Sequence, residues 1–318
     1  MFIASLQEKT LNSIESLDQK PDRKQVIVFD DSALEPAFNY MRNRSEKNLD
    51  RLASQPGSKL AHAHYCWANS CPKITAEEFW SKVLSETSWN HELEHSIDEI
   101  KTYLLGQKKE KWLNEVLRYL PRKHYFNTIV YLNFGYDHIV FGENVALNLN
   151  SNQFRLDRRE SIYYLIHELA HAGYVRYHPM PDLGKIRTNR QLLETIEYLT
   201  QLEGMGVKSA LRLRIRESGL LDNDYKTLLD DSERTTRVTR YFKLLDKLES
   251  KLPEGKSKSH SGLIEEMSGK KTRLWYIAGC HMAQEIEKQR GTETLRKLVK
   301  EGSEAFFRSY FELTPRST

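Results

Sequence analysis

The chain has 318 residues, of which 39% are hydrophobic and 29% are charged, and its formal net charge is +4. This length is enough for one large domain or two modest ones with a sizeable hydrophobic core. The basic residues are spread along the chain and form neither a concentrated stripe nor a recognisable nucleic-acid-binding module, which argues against a nucleic-acid partner.

Secretion and membrane insertion are also disfavoured. The N-terminal segment "MFIASLQEKTLNS" lacks the basic start and long apolar core of a signal peptide, and no apolar run approaches the length of a membrane span. Three cysteines argue against a disulfide framework and fit a reducing compartment. We therefore expect a soluble, cytoplasmic protein without a membrane partner, and the oligomeric state stays open.

The first 120 residues have mostly helical patterns, after a short apolar run at Val26–Phe29. These patterns cover about residues 76–86, 89–105 and 112–119. The helical patterns of this half end at Pro121. The next segment, Asn127–Asn150, is rich in β-branched and aromatic residues and contains Gly135 and Gly142. This segment predicts two or three short antiparallel strands.

The second half returns to helical patterns. They cover about residues 157–174, 191–216, 231–251 and 271–311. We therefore predict an α+β, predominantly helical fold with a small antiparallel sheet packed on a pair of helices. Two regions are expected, a helical N-terminal region at 1–120 without an assigned role and a second domain at 121–318.

The pattern His-Glu-x-x-His occurs twice, as "HELEH" at His91–His95 and as "HELAH" at His167–His171. On a helix this spacing places both imidazoles on one face, where they can hold a zinc ion. One chain rarely needs two such sites. The residues around each motif indicate which one can bind a metal and which one occurs by chance.

The first motif lies on an amphipathic helix. The apolar stripe of that helix consists of Trp89, Leu93, Ile97, Ile100 and Leu104. His91 and His95 project from nearly the opposite side, among acidic residues. We predict a solvated helix face there.

The second motif lies in "ESIYYLIHELAHAGYV", which is apolar almost all round and is therefore expected to be buried. Two histidines and a glutamate inside a buried helix require partners, because unpaired polar groups there are costly. A metal ion is the interpretation we favour. The alternative is that these residues form ordinary hydrogen bonds in the core.

A third ligand is needed, because catalytic zinc takes three protein ligands and one open position. The candidates are Glu194, Glu197 and Glu203. Spacing along the chain favours Glu194, but the helix period places Glu203 at the centre of the buried stripe, so we choose Glu203. Gly204 and Gly206 beside it would let the metal helix approach closely. Alternatively, Glu203 pairs with a lysine or arginine.

"IHELAH" followed by "LEGMG" resembles the gluzincin-type zinc metallopeptidases, and is most similar to zinc-dependent peptidase families that pair HExxH with a later E-G-x-A/G. The segment at Trp275–Leu295 is similar to a C-terminal pattern of those families. The resemblance covers about Thr128–Tyr310. Gly206 stands where we expect the motif to have Ala.

The resemblance implies that residues 121–318 form a zincin-like metallopeptidase domain, with helices around a small sheet. It implies one Zn²⁺ per chain bound by His167, His171 and Glu203, with Glu168 as the catalytic acid/base. The expected activity is hydrolysis of peptide bonds in a peptide or protein substrate.

The oxyanion of such a reaction needs a hydrogen-bond donor besides the metal. Tyr276, His281, Tyr177 and His178 are candidates, and only the family pattern favours Tyr276. The strand "VALNLN" at Val145–Asn150 precedes the metal helix, and as an edge strand it could pair with an extended peptide.

Two other functions stay open on the sequence. One is a non-catalytic metal-binding or regulatory protein, and the other is a helical protein-interaction module without a metal. A further group, His62, His64, Cys66 and Cys71 in "HAHYCWANSCP", has metal-capable side chains, but its spacing matches no common zinc pattern. We interpret it as a loop or helix end with buried thiols.

Overall fold

The structure is a computed structural model that describes residues 25–69, 73–252, 260–269 and 271–315. The N-terminal segment that we predicted to lack a signal peptide and the side chain of Cys71 lie outside these residues. Within them, no helix has both the length and the apolar character needed to cross a membrane.

The described residues form fifteen α-helices and four β-strands. The helices are α1 (Leu34–Arg42), α2 (Glu46–Ala53), α3 (Pro56–Ala68), α4 (Ala76–Val83), α5 (His91–Gly106), α6 (Lys109–Leu117), α7 (Asn152–Leu156), α8 (Glu160–Val175), α9 (Asn189–Arg216), α10 (Asn223–Leu229), α11 (Asp231–Glu249), α12 (His260–Ser268), α13 (Leu274–Arg290), α14 (Thr292–Glu301) and α15 (Ser303–Leu313). The strands are β1 (Val26–Asp30), β2 (Asn127–Asn133), β3 (Ile139–Phe141) and β4 (Asn144–Asn148).

The predicted α+β, predominantly helical class is confirmed, but the sheet is mixed, with the strand order β1-β2-β4-β3. Strands β1 and β4 both run parallel to β2, and only β3 and β4 are antiparallel. The expectation of an antiparallel sheet was wrong because the pattern at 127–150 locates strands without specifying their partners. The apolar run at Val26–Phe29 belongs to β1, which joins the sheet beside β2 across about 100 intervening residues.

Strand β4 is an interior strand, since it lies between β2 and β3. The expectation that the segment Val145–Asn150 forms a free edge was therefore wrong. The edges of this sheet are β1 and β3. The hairpin turn between β3 and β4 contains Gly142, whose φ of +60° suits a residue without a side chain.

The buried core is continuous along the described chain. Buried apolar side chains from Leu34 in α1 to Tyr310 in α15 form one cluster. Strand β1 and helix α3 both come from the first 120 residues; β1 is a strand of the sheet, and α3 packs against the sheet. The assignment of two separate domains stays a prediction.

Helix α9 is the longest helix among the described residues and packs against both α8 and α13. It begins with a capping box. The Thr188 hydroxyl accepts a hydrogen bond from the Gln191 N–H at 3.1 Å, and the Gln191 side chain accepts one from the Thr188 N–H at 3.2 Å. This defined start sets the register in which α9 presents its side chains to α8.

The buried histidine His124 predicts a specific loss of stability in acid. Its ring is 4% exposed, its Nδ1 lies 3.2 Å from the Tyr177 hydroxyl, and burial lowers its pKa to about 3, with a smaller effect from the Arg176 charge. An unfolded chain protonates the same histidine near pH 6.5. Between pH 6.5 and 3 the unfolded state therefore binds more protons, and the free energy of unfolding falls as the pH falls.

We expect His124 to account for a loss of about 2 kcal/mol in the free energy of unfolding between pH 7 and pH 5. Urea denaturation of the wild type and of His124→Gln at both pH values measures this quantity, because glutamine does not titrate. The pH-dependent loss should be smaller in the variant by about this amount. An equal loss in both proteins would contradict the assignment.

Candidate metal centre

The first His-Glu-x-x-His motif begins helix α5, which the Asn90 side chain caps by accepting a hydrogen bond from the Leu93 N–H at 2.7 Å. The helix buries Ile97 and other apolar residues of its predicted stripe. His91 and His95 are exposed, and the His95 side chain retains 76% of its accessible surface. This motif therefore lies on a solvated face, as the helix period predicts.

The second motif lies in α8, which is buried along nearly its whole length. His171 is 4% exposed and Glu168 is 5% exposed. Within the described ranges, His167, His171 and Glu203 are the group of ligand-type side chains close enough to hold one metal ion, since one donor atom from each lies within 4.8 Å of the others. Two side chains from α8 and one from α9 thus converge.

The distances within this group suit a zinc ion. Glu203 Oε2 lies 3.2 Å from His167 Nε2 and 3.3 Å from His171 Nε2. Ligands at 2.0–2.2 Å from a tetrahedral zinc are themselves about 3.4 Å apart. His171 Nε2 is buried and makes no well-aligned hydrogen bond with any described residue, although Glu203 is near. A metal ion would satisfy this nitrogen.

The electrostatics of the cluster also favour a cation. Burial opposes charge on His171, but the negative charge of Glu203 and the contact with Glu168 outweigh it and raise the pKa of His171 to about 10. Burial acts against ionisation of Glu203 as well, yet the two histidines hold the pKa of this carboxyl below its usual range. Two carboxylates in a buried site thus require positive charge, which protons or a divalent metal ion can supply.

The period of α9 separates the three glutamate candidates. Glu194 is exposed and Glu197 is half-buried, whereas Glu203 faces the histidines of α8. No lysine or arginine forms an ion pair with Glu203 among the described residues. Spacing along the chain would have selected Glu194, which points away from the cluster.

The two glycines beside Glu203 have different roles. A Cβ on Gly206 would lie 2.6 Å from His171 Nε2 and 2.8 Å from His167 Cε1, so this glycine makes room for the imidazoles. A Cβ on Gly204 would overlap the backbone of Gly279 in α13. The expectation that both glycines admit the metal helix therefore holds for Gly206 only.

A cavity of about 690 Å³ opens beside the cluster. His167, His171, Glu203, Glu168 and Tyr276 all contribute to its walls. Glu168 Oε2 lies 3.4 Å from His171 Nδ1, and this contact holds the pKa of Glu168 below its usual range against the effect of burial. The volume of the cavity is within the range of typical ligand pockets, about 300–1,000 Å³.

Tyr276 lies beneath an arginine that the sequence did not identify. The guanidinium carbon of Arg273 is 3.3 Å from the centre of the Tyr276 ring, and Arg273 Nε donates to Asp224 Oδ2 at 2.9 Å. Arg273 precedes α13 with a left-handed backbone, φ +48°. The direction of the Arg273 side chain depends on this left-handed conformation. No sequence pattern predicts such a conformation at an arginine, so the sequence did not identify this residue.

The other predicted oxyanion donors are elsewhere. The cavity walls formed by the described residues include none of His281, Tyr177 and His178. Tyr177 contacts His124, and His178 Nε2 lies 3.0 Å from the Val299 carbonyl oxygen. His281 packs against the Tyr310 ring, at a centroid distance of 6.1 Å. All three side chains therefore make contacts away from the cavity.

The described members of the histidine and cysteine group, His62, His64 and Cys66, lie within α3 and make local contacts. His62 Nε2 lies 3.1 Å from the Ile74 carbonyl oxygen and 3.5 Å from Cys66 Sγ. His64 Nδ1 lies 3.0 Å from the Tyr136 hydroxyl. Of the described members, only His64 lines the cavity, and it is not part of the group of side chains that could hold one metal ion.

Comparison with known proteins adds one finding. The model of a family described as "Putative zinc dependent peptidase (DUF5700)" matches residues 36–316. No curated protein and no solved structure matches the chain significantly. The matched range includes most of the first 120 residues as well as both His-Glu-x-x-His motifs. Because the match covers most of the sequence, the chain belongs to this family.

Proposed function

We propose that the chain is a gluzincin-type zinc peptidase, a hydrolase of peptide bonds in peptide or protein substrates. His167, His171 and Glu203 would hold one zinc ion per chain. The observation that carries this proposal is the convergence of three ligand atoms within 4.8 Å at the wall of a large cavity. The family match supports the same conclusion.

The residues around the cluster have the chemistry that peptide hydrolysis needs. Zinc, when bound, acts as a Lewis acid that polarises a carbonyl and lowers the pKa of a water molecule to about 7. Glu168 follows His167 directly and faces the cavity, so its carboxylate can accept the proton of the attacking water. The same carboxyl group then returns this proton to the leaving amine nitrogen.

Tyr276 is suited to the role of a hydrogen-bond donor. Burial raises the pKa of its hydroxyl above the usual range, so the hydroxyl keeps its proton at neutral pH. The Arg273 guanidinium stacked on its ring and the Asp224 carboxylate behind that guanidinium restrict its orientation. A fixed neutral hydroxyl can donate to the oxygen on which negative charge develops.

A measurement of the zinc content tests the proposed metal site. Protein purified without chelators and then dialysed should contain about one zinc ion per chain by mass spectrometry. The variant His167→Ala should lose this zinc, since two ligands hold zinc far less tightly than three. The variant His95→Ala is the matched control, because His95 belongs to the exposed motif.

The two variants give opposite expectations. His95→Ala should retain the full zinc content and the folded far-UV circular dichroism spectrum. Zinc that persists in His167→Ala, or that is lost in His95→Ala, would overturn the assignment of the metal to α8 and α9.

A further inference from the structure

His138 is a histidine that no motif marks. It lies immediately before β3, the edge strand of the sheet, and its side chain contributes to the cavity wall together with Ile139 and Val140 of that strand. His167 and Glu168 line the same cavity, so His138 and the proposed metal centre share one cavity wall.

Hydrogen bonding determines the protonation state of the ring. The backbone N–H of Asn148 in β4 donates to His138 Nδ1 at 3.2 Å. A nitrogen that accepts a hydrogen bond carries no proton, so the neutral ring has its hydrogen on Nε2. Asn148 is itself held, because its side chain donates to the Tyr136 carbonyl oxygen at 3.0 Å. Among the described residues, no hydrogen-bond partner is present for His138 Nε2.

Two aromatic rings hold the imidazole in place. The ring of His138 lies between those of Phe154 and Tyr164, at centroid distances of 4.8 Å and 4.5 Å. The Tyr164 hydroxyl is within hydrogen-bond distance of Gln153 Oε1 and Asp222 Oδ2, at 2.7 Å and 2.9 Å. Burial lowers the pKa of His138, so the ring stays neutral at neutral pH.

This arrangement excludes two common functions of histidine. A ring whose Nδ1 accepts a backbone hydrogen bond and whose Nε2 bears the hydrogen offers no free lone pair, so it can serve neither as a metal ligand nor as a general base. What it does offer is one N–H donor in a fixed direction at a cavity wall. Such preorganised donors stabilise negative charge that develops in a transition state.

We propose that His138 is a further catalytic residue, whose Nε2–H donates a hydrogen bond to the carbonyl oxygen of the scissile peptide bond as that oxygen becomes negatively charged. This inference rests on the proposed peptidase function. His138 transfers no proton and stays neutral throughout the reaction. It supplies a donor from the sheet side of the cavity, whereas Tyr276 supplies one from α13.

The protonation state can be tested without activity. Long-range ¹H–¹⁵N spectra of zinc-loaded protein labelled in its histidines distinguish the two neutral forms of the ring and the charged form. We expect the signal that disappears in His138→Phe to come from a ring protonated only at Nε2 between pH 6 and pH 8. A ring protonated at Nδ1, or at both nitrogens, would overturn the proposal.

The catalytic role needs two variants at this position. His138→Phe keeps an aromatic ring between Phe154 and Tyr164 but removes the donor, and His138→Gln retains an N–H group. With a peptide substrate, kcat of His138→Phe should fall about 100- to 1,000-fold while KM changes little. His138→Gln should recover part of this loss, and zinc content should equal that of the wild type in both variants.

A substitution in the exposed motif, His91→Phe, is the control and should leave kcat and KM unchanged. A phosphinic peptide, whose tetrahedral oxygens resemble the oxyanion, should bind His138→Phe about 100-fold more weakly than the wild type. If the wild type hydrolyses peptides and His138→Phe matches it in kcat and in inhibitor affinity, only the role of His138 is refuted. If the zinc-loaded wild type neither hydrolyses peptides nor binds the inhibitor, the proposed function fails and the role of His138 fails with it.

Discussion

The substitution Glu168→Gln is expected to leave zinc bound and to reduce peptide hydrolysis by a factor of about 100 to 10,000, the range for removal of a general acid or base. Glutamine has the shape of glutamate but cannot accept the proton of the attacking water. The three ligand side chains His167, His171 and Glu203 stay intact. The measurements are zinc content by mass spectrometry and kcat/KM with a peptide substrate.

The repeated motif provides a matched control for this prediction. Glu92 occupies the same position in the first His-Glu-x-x-His motif as Glu168 does in the second, but it is exposed on α5. Glu92→Gln should therefore change neither zinc content nor kcat/KM. The variants Glu168→Gln and Glu92→Gln thus compare the same substitution in the same five-residue pattern, on the buried helix α8 and on the solvated face of α5.

Normal hydrolysis by Glu168→Gln would contradict the proposed mechanism. Glu168 Oε2 lies 3.4 Å from His171 Nδ1, so the carboxylate can also orient the imidazole toward the metal. In that case zinc affinity would fall by about 10- to 100-fold while hydrolysis by the loaded enzyme stayed unchanged. The two measurements therefore separate a proton carrier from a residue that positions a ligand.

The substitutions Gly204→Ala and Gly206→Ala are expected to have different consequences, although the residues lie two positions apart on α9. Gly204→Ala should lower the free energy of unfolding by about 3 kcal/mol. The added methyl group would overlap the backbone of Gly279 in α13, and backbone atoms cannot move aside as a flexible side chain can. Urea denaturation of the zinc-free protein measures this loss.

Gly206→Ala should leave the fold nearly as stable as in the wild type and should weaken zinc binding by about tenfold or more. Its methyl group would lie 2.6 Å from His171 Nε2, the nitrogen that faces the proposed metal. Competition with a chromophoric chelator measures the zinc affinity. Wild-type affinity in Gly206→Ala would show that the histidine rings can shift without loss of the metal.

Gly106→Ala is the control for both substitutions. Gly106 is the last residue of α5, and a Cβ there would meet nothing within 4 Å. Alanine should raise stability there by at most about 1 kcal/mol, the difference in helix propensity. If Gly204→Ala behaved in the same way, the close crossing of α9 and α13 would be refuted.

Much of the proposed centre could be predicted from the sequence, because helices have a regular period. One period of 3.6 residues distinguishes the solvated His91 and His95 from His167 and His171, which lie on a buried helix. The same period selects Glu203 over Glu194, even though chain spacing favours Glu194. Each of these choices depends only on residues within a few turns of one helix.

Contacts between distant segments required the tertiary structure. The apolar run at Val26–Phe29 has no local feature that specifies β2 as its neighbour, and the residues of β4 do not reveal that β3 covers their edge. Strand partners depend on how the whole chain packs, so the predicted antiparallel sheet and free edge were wrong. Neither His138 nor Arg273 belongs to a sequence motif. His138 lines the cavity because it lies at the start of β3, and Arg273 does so because its backbone is left-handed. Local periodicity therefore determined which side chains are buried on each helix, whereas long-range packing decided which of them meet at one cavity.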